Sequence, residues 1–236
     1  GGSGCAWPVR AVGGWDRSGW TGLGGYNEDQ AAGCFGRDAE STEMLERLHP
    51  VGAAEANRLM TVVGPAGAGK SSLGQGGVVP RLRQRRGGWI VVPPVVPGDH
   101  PLRSLSRSLA VACPGYPIEE VPAPRFADEL RMAQARPSAP VLVIVDQAEE
   151  LITLSGETER DDLLGLLASA LDADTRLWIL MILRSEVLTG CLGTETTRLF
   201  RAPVVVCTLI RSGLGWGTAH QARPTGIHFA APPHAP

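Results

Sequence analysis

Lysine is all but missing from this chain: of the 22 basic residues among 236, only Lys70 is not arginine. That scarcity gives the one lysine weight, because a compact ammonium and a planar guanidinium do different jobs, and a position that keeps lysine in an arginine-using chain marks a need for it. Excess charge of one sign is also lacking. Twenty-four acidic residues against 22 basic ones leave a formal net charge of −2, which provides no basic field for nucleic acid and sets that partner aside. No uninterrupted apolar run approaches the roughly 18 residues that span a bilayer, and no charged-then-apolar leader opens the sequence, so no membrane segment is expected. The five cysteines, Cys5, Cys34, Cys113, Cys191 and Cys207, are odd in number, far apart and without a C-x-x-C pair. They argue against a disulfide framework or a zinc site and for a reduced, cytoplasmic compartment.

What is present is one α/β pattern between two irregular ends. Residues 1–34 are rich in Gly and Trp and show no apolar period, which reads as a lead-in, and residues 211–236 mix Gly, Pro and His in the manner of a disordered tail. Residues 35–210 alternate helical and strand patterns. Helices are expected at Asp38–Leu48, with Met44, Leu45 and Leu48 on one side, after Pro101 with Leu102, Leu105 and Leu109 on one face, and at Phe126–Ala135. A longer crossover helix carries Leu163, Leu164, Leu166, Leu167, Ala170 and Leu171 as its buried stripe. Strands are expected at Leu59–Val63, Trp89–Val92, Val141–Val145, Leu177–Leu183 and Val204–Cys207. Continuous apolar strands alternating with helices imply a three-layer sandwich around a central, mainly parallel five-stranded sheet.

The segment Gly64, Pro65, Ala66, Gly67, Ala68, Gly69, Lys70, Ser71 satisfies G-x-x-x-x-G-K-[ST] between an apolar strand and a helix. Small residues are required there because backbone N–H groups must turn inward around phosphate oxygens. Lys70 is then placed to reach the outer phosphates and the Ser71 hydroxyl to ligate Mg²⁺. A chance match must be weighed in a chain with 30 glycines; given one lysine, its odds are about 0.002. Gly74, Gly76 and Gly77 fall where the following helix runs, each costing about 1 kcal/mol relative to alanine, so that helix is expected to be short or frayed.

A second apolar strand delivers Asp146 to its C-terminal end in V-L-V-I-V-D-Q-A-E-E, where ligands of open α/β sheets collect, and Asp146 is the second candidate Mg²⁺ ligand. An ordinary helix-starting Asp is the plainer alternative. Glu149 and Glu150 are candidates for preparing the attacking water, although acids in a first helical turn also complement its dipole. Arg184 ends another strand and is a candidate γ-phosphate sensor, or a plain surface arginine.

These residues in this order resemble the STAND class of signal-transducing ATPases, relatives of AAA+ proteins, and in particular its bacterial novel STAND branch. The resemblance covers roughly residues 20–210: W-T-G-L-G-G-Y-N-E-D-Q, F-G-R-D-A-E, G-P-A-G-A-G-K-S-S-L, V-P-G-D-H-P-L, D-Q-A-E-E-L-I-T and L-M-I-L-R-S-E. It implies an AAA+-like core that binds ATP with Mg²⁺, with Ser72 joining the phosphate loop, Gly36 and Arg37 bordering the base, and Arg184 as the sensor arginine. It implies too a switch feeding sensor or effector domains such as a WD-repeat propeller in a longer parent protein, and a nucleotide-driven homo-oligomer. Ala148 stands where the family usually has an aromatic, and Arg184-Ser185-Glu186-Val187 replaces its R-x-D-F. The likeness is expected to stop near Ile210, short of a helical lid, which leaves a non-hydrolysing nucleotide-binding module or scaffold from a truncated relative as the alternative. No N-K-x-D or L-S-G-G-Q motif occurs, which disfavours GTPase and transporter readings. The opening G-G-S-G with Ser3 faintly resembles a protease serine loop, but without an upstream His and Asp it completes no triad, and a glycine-serine linker is the plainer reading.

Overall fold

The computed structural model describes residues 37–48, 58–84 and 88–187, and the backbone of Val204–Val205. The readings of the lead-in, of Ser3, of Gly36 and of the tail lie outside the described residues. Among the described residues five strands make one sheet: β1 (Leu59–Gly64), β2 (Ile90–Val91), β3 (Val141–Val145), β4 (Leu177–Arg184) and β5 (Val204–Val205). Their order is β2-β3-β4-β1-β5 and every pairing is parallel. β3, and β4 as far as Leu183, are unbroken apolar runs, and β1 is interrupted by the buried Thr61 alone, because both sheet faces are covered.

Strand alternation sorts the side chains into two cores. Leu59, Val63, Val141, Val143, Ile179 and Met181 are among those facing one way, while Met60, Val62, Leu142, Ile144, Leu180 and Ile182 face the other. Each such side chain, fully buried, contributes roughly 1.5–3 kcal/mol. Helices α4 (Pro101–Ala112), α5 (Phe126–Ala133) and α7 (Glu157–Ala173) cover the first face through Leu105, Leu109, Phe126, Leu130, Leu163, Leu167 and Ala170. Helix α1 (Asp38–Arg47) covers the second through Met44 and the following Leu48. The expected stripes are narrower in practice, since Leu45, Leu102, Leu164, Leu166 and Leu171 are only partly buried.

Two boundaries differ from expectation, each for a backbone reason. β2 is shorter than Trp89–Val92 because the chain turns into Pro93 and Pro94, which have no N–H to donate, and rejoins β3 only at the Val95–Val145 bridge. Helix α5 stops at Ala133 because Ala135 takes a left-handed φ of 51° and the Arg136 N–H closes on the Arg131 carbonyl. Of the expected strand Val204–Cys207, Val204–Val205 is described and is a strand, and the rest lies outside the described residues.

The glycine-bearing helix does not fray. It starts as α2 (Lys70–Ser72), widens into a π-helical segment over Leu73–Val78, and continues as α3 (Val79–Gln84). Gly74, Gly76 and Gly77 are buried, and a Cβ at Gly74 would come within 3.0 Å of Ile182 Cδ1 on β4. The propensity cost at Gly74 is accepted because the missing Cβ lets the helix lie close on β4 there.

Candidate nucleotide-binding site

The strand order brings three strand ends to one edge. β4 lies between β1 and β3, so Gly64 at the end of β1 is in register with Arg184 at the end of β4, and Asp146 follows the last residue of β3. Beyond Gly64 the loop turns through Gly67 (φ 74°) and Gly69 (φ 80°). Open space surrounds the Cβ position of both, so the backbone conformation rather than crowding calls for glycine there. Ala66, Gly67 and Gly69 are exposed while Lys70 is buried, which leaves the loop mouth accessible and the ammonium beneath it.

Lys70 Nζ donates to the Pro65 carbonyl at 2.8 Å, folding the ammonium over its own loop. Burial pushes its pKa below the ordinary lysine range, Glu149, Glu186 and Asp146 pull it back up, and Arg184 adds to the lowering. The Ser71 hydroxyl, with half-buried Ser72 following it, donates to Asp146 Oδ1 at 2.8 Å. A hydroxyl and a carboxylate in contact are hard oxygen donors suited to Mg²⁺, which takes few protein ligands and completes its shell with water and phosphate. Gln75 Nε2 donates to Asp146 Oδ2 at 3.0 Å, so both carboxylate oxygens are held.

After Asp146 the chain makes a sharp turn. Gln147 adopts φ 53°, a region that non-glycine residues seldom occupy, and the Ala148 N–H bonds the Ile182 carbonyl at 2.8 Å. Ala148, standing where the resemblance leads one to expect an aromatic, is buried in the first core. The turn sends the two neighbouring glutamates apart, as a spacing of about 100° per helical residue requires. Glu149 is buried and pairs with Arg184, its Oε1 lying 2.9 Å from Nε while its Oε2 accepts the Arg184 N–H at 3.3 Å. Glu150 faces elsewhere and accepts the Gly98 N–H at 2.9 Å, while Ser155 Oγ donates to the Gly98 carbonyl at 2.7 Å. Glu150 and Ser155 thus fasten the V-P-G-D-H-P-L turn to helix α6 (Glu150–Thr153).

Arg37 is buried, pairs with Glu40 at 2.6 Å and donates to the Ala68 carbonyl at 2.9 Å, bracing the phosphate loop from outside. Glu186, two residues past Arg184, accepts the Ala66 N–H at 3.4 Å. Hydrogen bonds from its own N–H and then from that of Ala66, with the Ser185 hydroxyl and the charge of Lys70, hold its carboxyl below the usual range. Sequence reasoning missed Gln75 and Glu186. Gln75 was within reach of it, since residues four apart share a helix face. A cavity of about 360 Å³ lined by His100, Arg103, Glu119 and Glu159 lies over α4 and α7 and contains none of the loop residues.

A parallel sheet that presents a phosphate loop, a carboxylate and an arginine at one edge defines the class: this is a P-loop NTPase core. The chain belongs to the family of Novel STAND NTPase 1, whose family model matches residues 20–231. That match runs past Ile210, where the likeness was expected to end. No curated protein matches. Among solved structures, the ORC2 protein of Aeropyrum pernix in ADPNP–ADP complexes is similar with a TM-score of 0.63 and 18% identity, over 79% of this chain and 52% of that one. The Walker-type ATPase PABY2304 of Pyrococcus abyssi is similar with a TM-score of 0.58 and 18% identity, over 87% of this chain and 62% of that one. The chain therefore spans between half and two thirds of the length of these two structures, and at such identity the likeness is one of fold. Among the described residues no helix is long and apolar enough to cross a membrane.

Proposed function

We propose that the chain binds ATP with Mg²⁺ at the loop Gly64–Ser71 and hydrolyses it as a signalling switch. The observation that carries the reading is the 2.8 Å contact between Ser71 and Asp146 beneath an accessible glycine loop. Loop N–H groups and Lys70 hold the phosphates, and Mg²⁺, held by Ser71 and Asp146, would neutralise charge on the outer phosphates. Local charge supports a divalent cation: Asp146, Glu149 and Glu186 outnumber Lys70 and Arg184 at this edge before an anionic substrate arrives. Glu149 is the better-placed acid for orienting water, because Glu150 is spent on the Gly98 turn. The ADPNP–ADP complexes of the Aeropyrum ORC2 protein and the likeness to the Walker-type ATPase of Pyrococcus abyssi are in keeping with nucleotide binding.

The second reading, a non-hydrolysing binding module, draws on the Glu149–Arg184 pair, which holds the candidate base in an ion pair. Hydrolysis requires that pair to open. The cytoplasmic location, sensor or effector domains such as a WD-repeat propeller, and a nucleotide-driven homo-oligomer belong to the switch reading. Titration calorimetry with ATP and Mg²⁺ tests the core claim. Lys70→Ala is expected to abolish the binding heat, and equal affinity in variant and parent would overturn the assignment.

A further inference from the structure

The buried carboxylate of Asp146 is held at both of its oxygens. Oδ1 accepts the Ser71 hydroxyl at 2.8 Å and the Gln147 N–H at 2.9 Å, and Oδ2 accepts Gln75 Nε2 at 3.0 Å. Ser71 is itself a candidate ligand of the cation, and the Gln147 bond is made by the backbone. Among the described residues, Gln75 is thus the side chain whose contact with Asp146 serves only to hold it. We propose that Gln75 is a positioning residue for the cation site, a neutral donor that fixes the plane of the Asp146 carboxylate and leaves its charge available to Mg²⁺. The proposal rests on the reading of Ser71 and Asp146 as the residues that hold Mg²⁺, and deepens it by naming a residue that sets how strongly they do so.

Helical spacing brings Gln75 to this place. It follows Ser71 by four positions, so the two side chains leave the same side of the helix, and they take one carboxylate oxygen each. Gly74 and Gly76, on either side of it, are buried, while Gln75 itself is half-buried. The terminal torsion of an aspartate is soft, with broad wells in place of sharp rotamers. Bonds at one oxygen alone leave the plane free to turn, whereas bonds at both fix it. The kind of donor matters as much as its position. An ionised carboxylate only accepts, so the amide must present its nitrogen to Oδ2. A lysine or arginine at Gln75 would hold the same oxygen, but its charge would oppose a cation at Asp146. Groups that orient the ligands of a metal are worth about 10- to 100-fold in its affinity. The lower end, about tenfold, is expected here, because the Gln147 N–H still holds Oδ1 when Gln75 is replaced.

The test titrates the full chain with a non-hydrolysable ATP analogue by calorimetry, in excess Mg²⁺ and again in EDTA, for the parent, Gln75→Leu and Gln75→Lys. The ratio of the two affinities isolates what the cation adds to binding. The parent is expected to bind more tightly in Mg²⁺. Gln75→Leu, which removes the donor at similar size, is expected to bind about tenfold more weakly than the parent in Mg²⁺ and equally well in EDTA. Gln75→Lys keeps a donor and adds a charge, and is expected to lose at least as much of the Mg²⁺-dependent gain; it also provides the test if leucine unfolds the helix. A full Mg²⁺-dependent gain in either variant, or an equal loss with and without Mg²⁺, would overturn the inference, the second being the mark of a purely structural role. Failure of the underlying reading looks different and takes the inference with it: the parent itself then binds no better in Mg²⁺ than in EDTA, or binds no nucleotide at all.

Discussion

At the scale of single residues, two adjacent carboxylates of the same kind have been given different work by the turn at Gln147. Glu149 is buried at the sheet edge against Arg184, and Glu150 holds the Gly98 turn. Glu149→Gln is therefore expected to retain ATP while phosphate release falls by about 10²-fold or more, the range of a lost general base. Glu150→Gln should keep turnover within a fewfold and lower stability by about 1 kcal/mol, the worth of a charge-assisted bond weakened rather than removed. Single-turnover phosphate release and urea melts on both variants check this, and a turnover loss confined to Glu150→Gln would reverse the roles. Lys70, Ser71 and Asp146 were legible in the sequence because each sits at a fixed offset in a local motif. Glu186 was not, because its meeting with Ala66 spans 120 positions and depends on β4 lying beside β1.

At the scale of elements, the glycine-rich helix shows how a local rule is outweighed. Propensity argues for fraying, yet the segment is helical from Lys70 to Gln84, with a π-helical stretch where it lies on the sheet. Such stretches recur at functional sites, and this one carries Gln75 on to Asp146. Composition alone held no sign of it, because burial by β4 supplied the missing stability. Gly74→Ala would gain about 1 kcal/mol of propensity in an isolated helix. Here the new methyl meets Ile182 Cδ1 at 3.0 Å, and overpacking of a filled core costs about 1–3 kcal/mol. The net expectation is destabilisation by about 1 kcal/mol. Ile182→Val, which removes the obstructing carbon, should recover at least about 0.5 kcal/mol in a double-mutant cycle by urea denaturation. Strict additivity of the two changes would show that the close packing is not what selects glycine.

At the scale of the whole molecule, a parallel sheet has two unlike ends, and this one uses them differently. The C-terminal edge gathers loop, carboxylates and Arg184. The opposite edge is pinned by Arg131, a buried arginine of α5 whose Nε donates to the Ala139 carbonyl at 2.7 Å and whose Nη1 pairs with Asp174, itself buried just before β4. The α/β alternation forecast the sheet, but this pin is a contact over 43 positions between residues that no motif links. Removing one partner of a buried pair leaves the other charge uncompensated and costs about 3–5 kcal/mol, whereas removing both charges is far milder. Arg131→Met should thus lose about that much stability, and Arg131→Met with Asp174→Asn should regain most of it. Neither change touches the nucleotide edge, so ATP affinity measured well below the melting point should match the parent. Urea melts and calorimetry on the same samples give both quantities. Affinity that falls in step with stability would mean that the two ends of the sheet are coupled, and the site could then no longer be treated as a local construction on a rigid base.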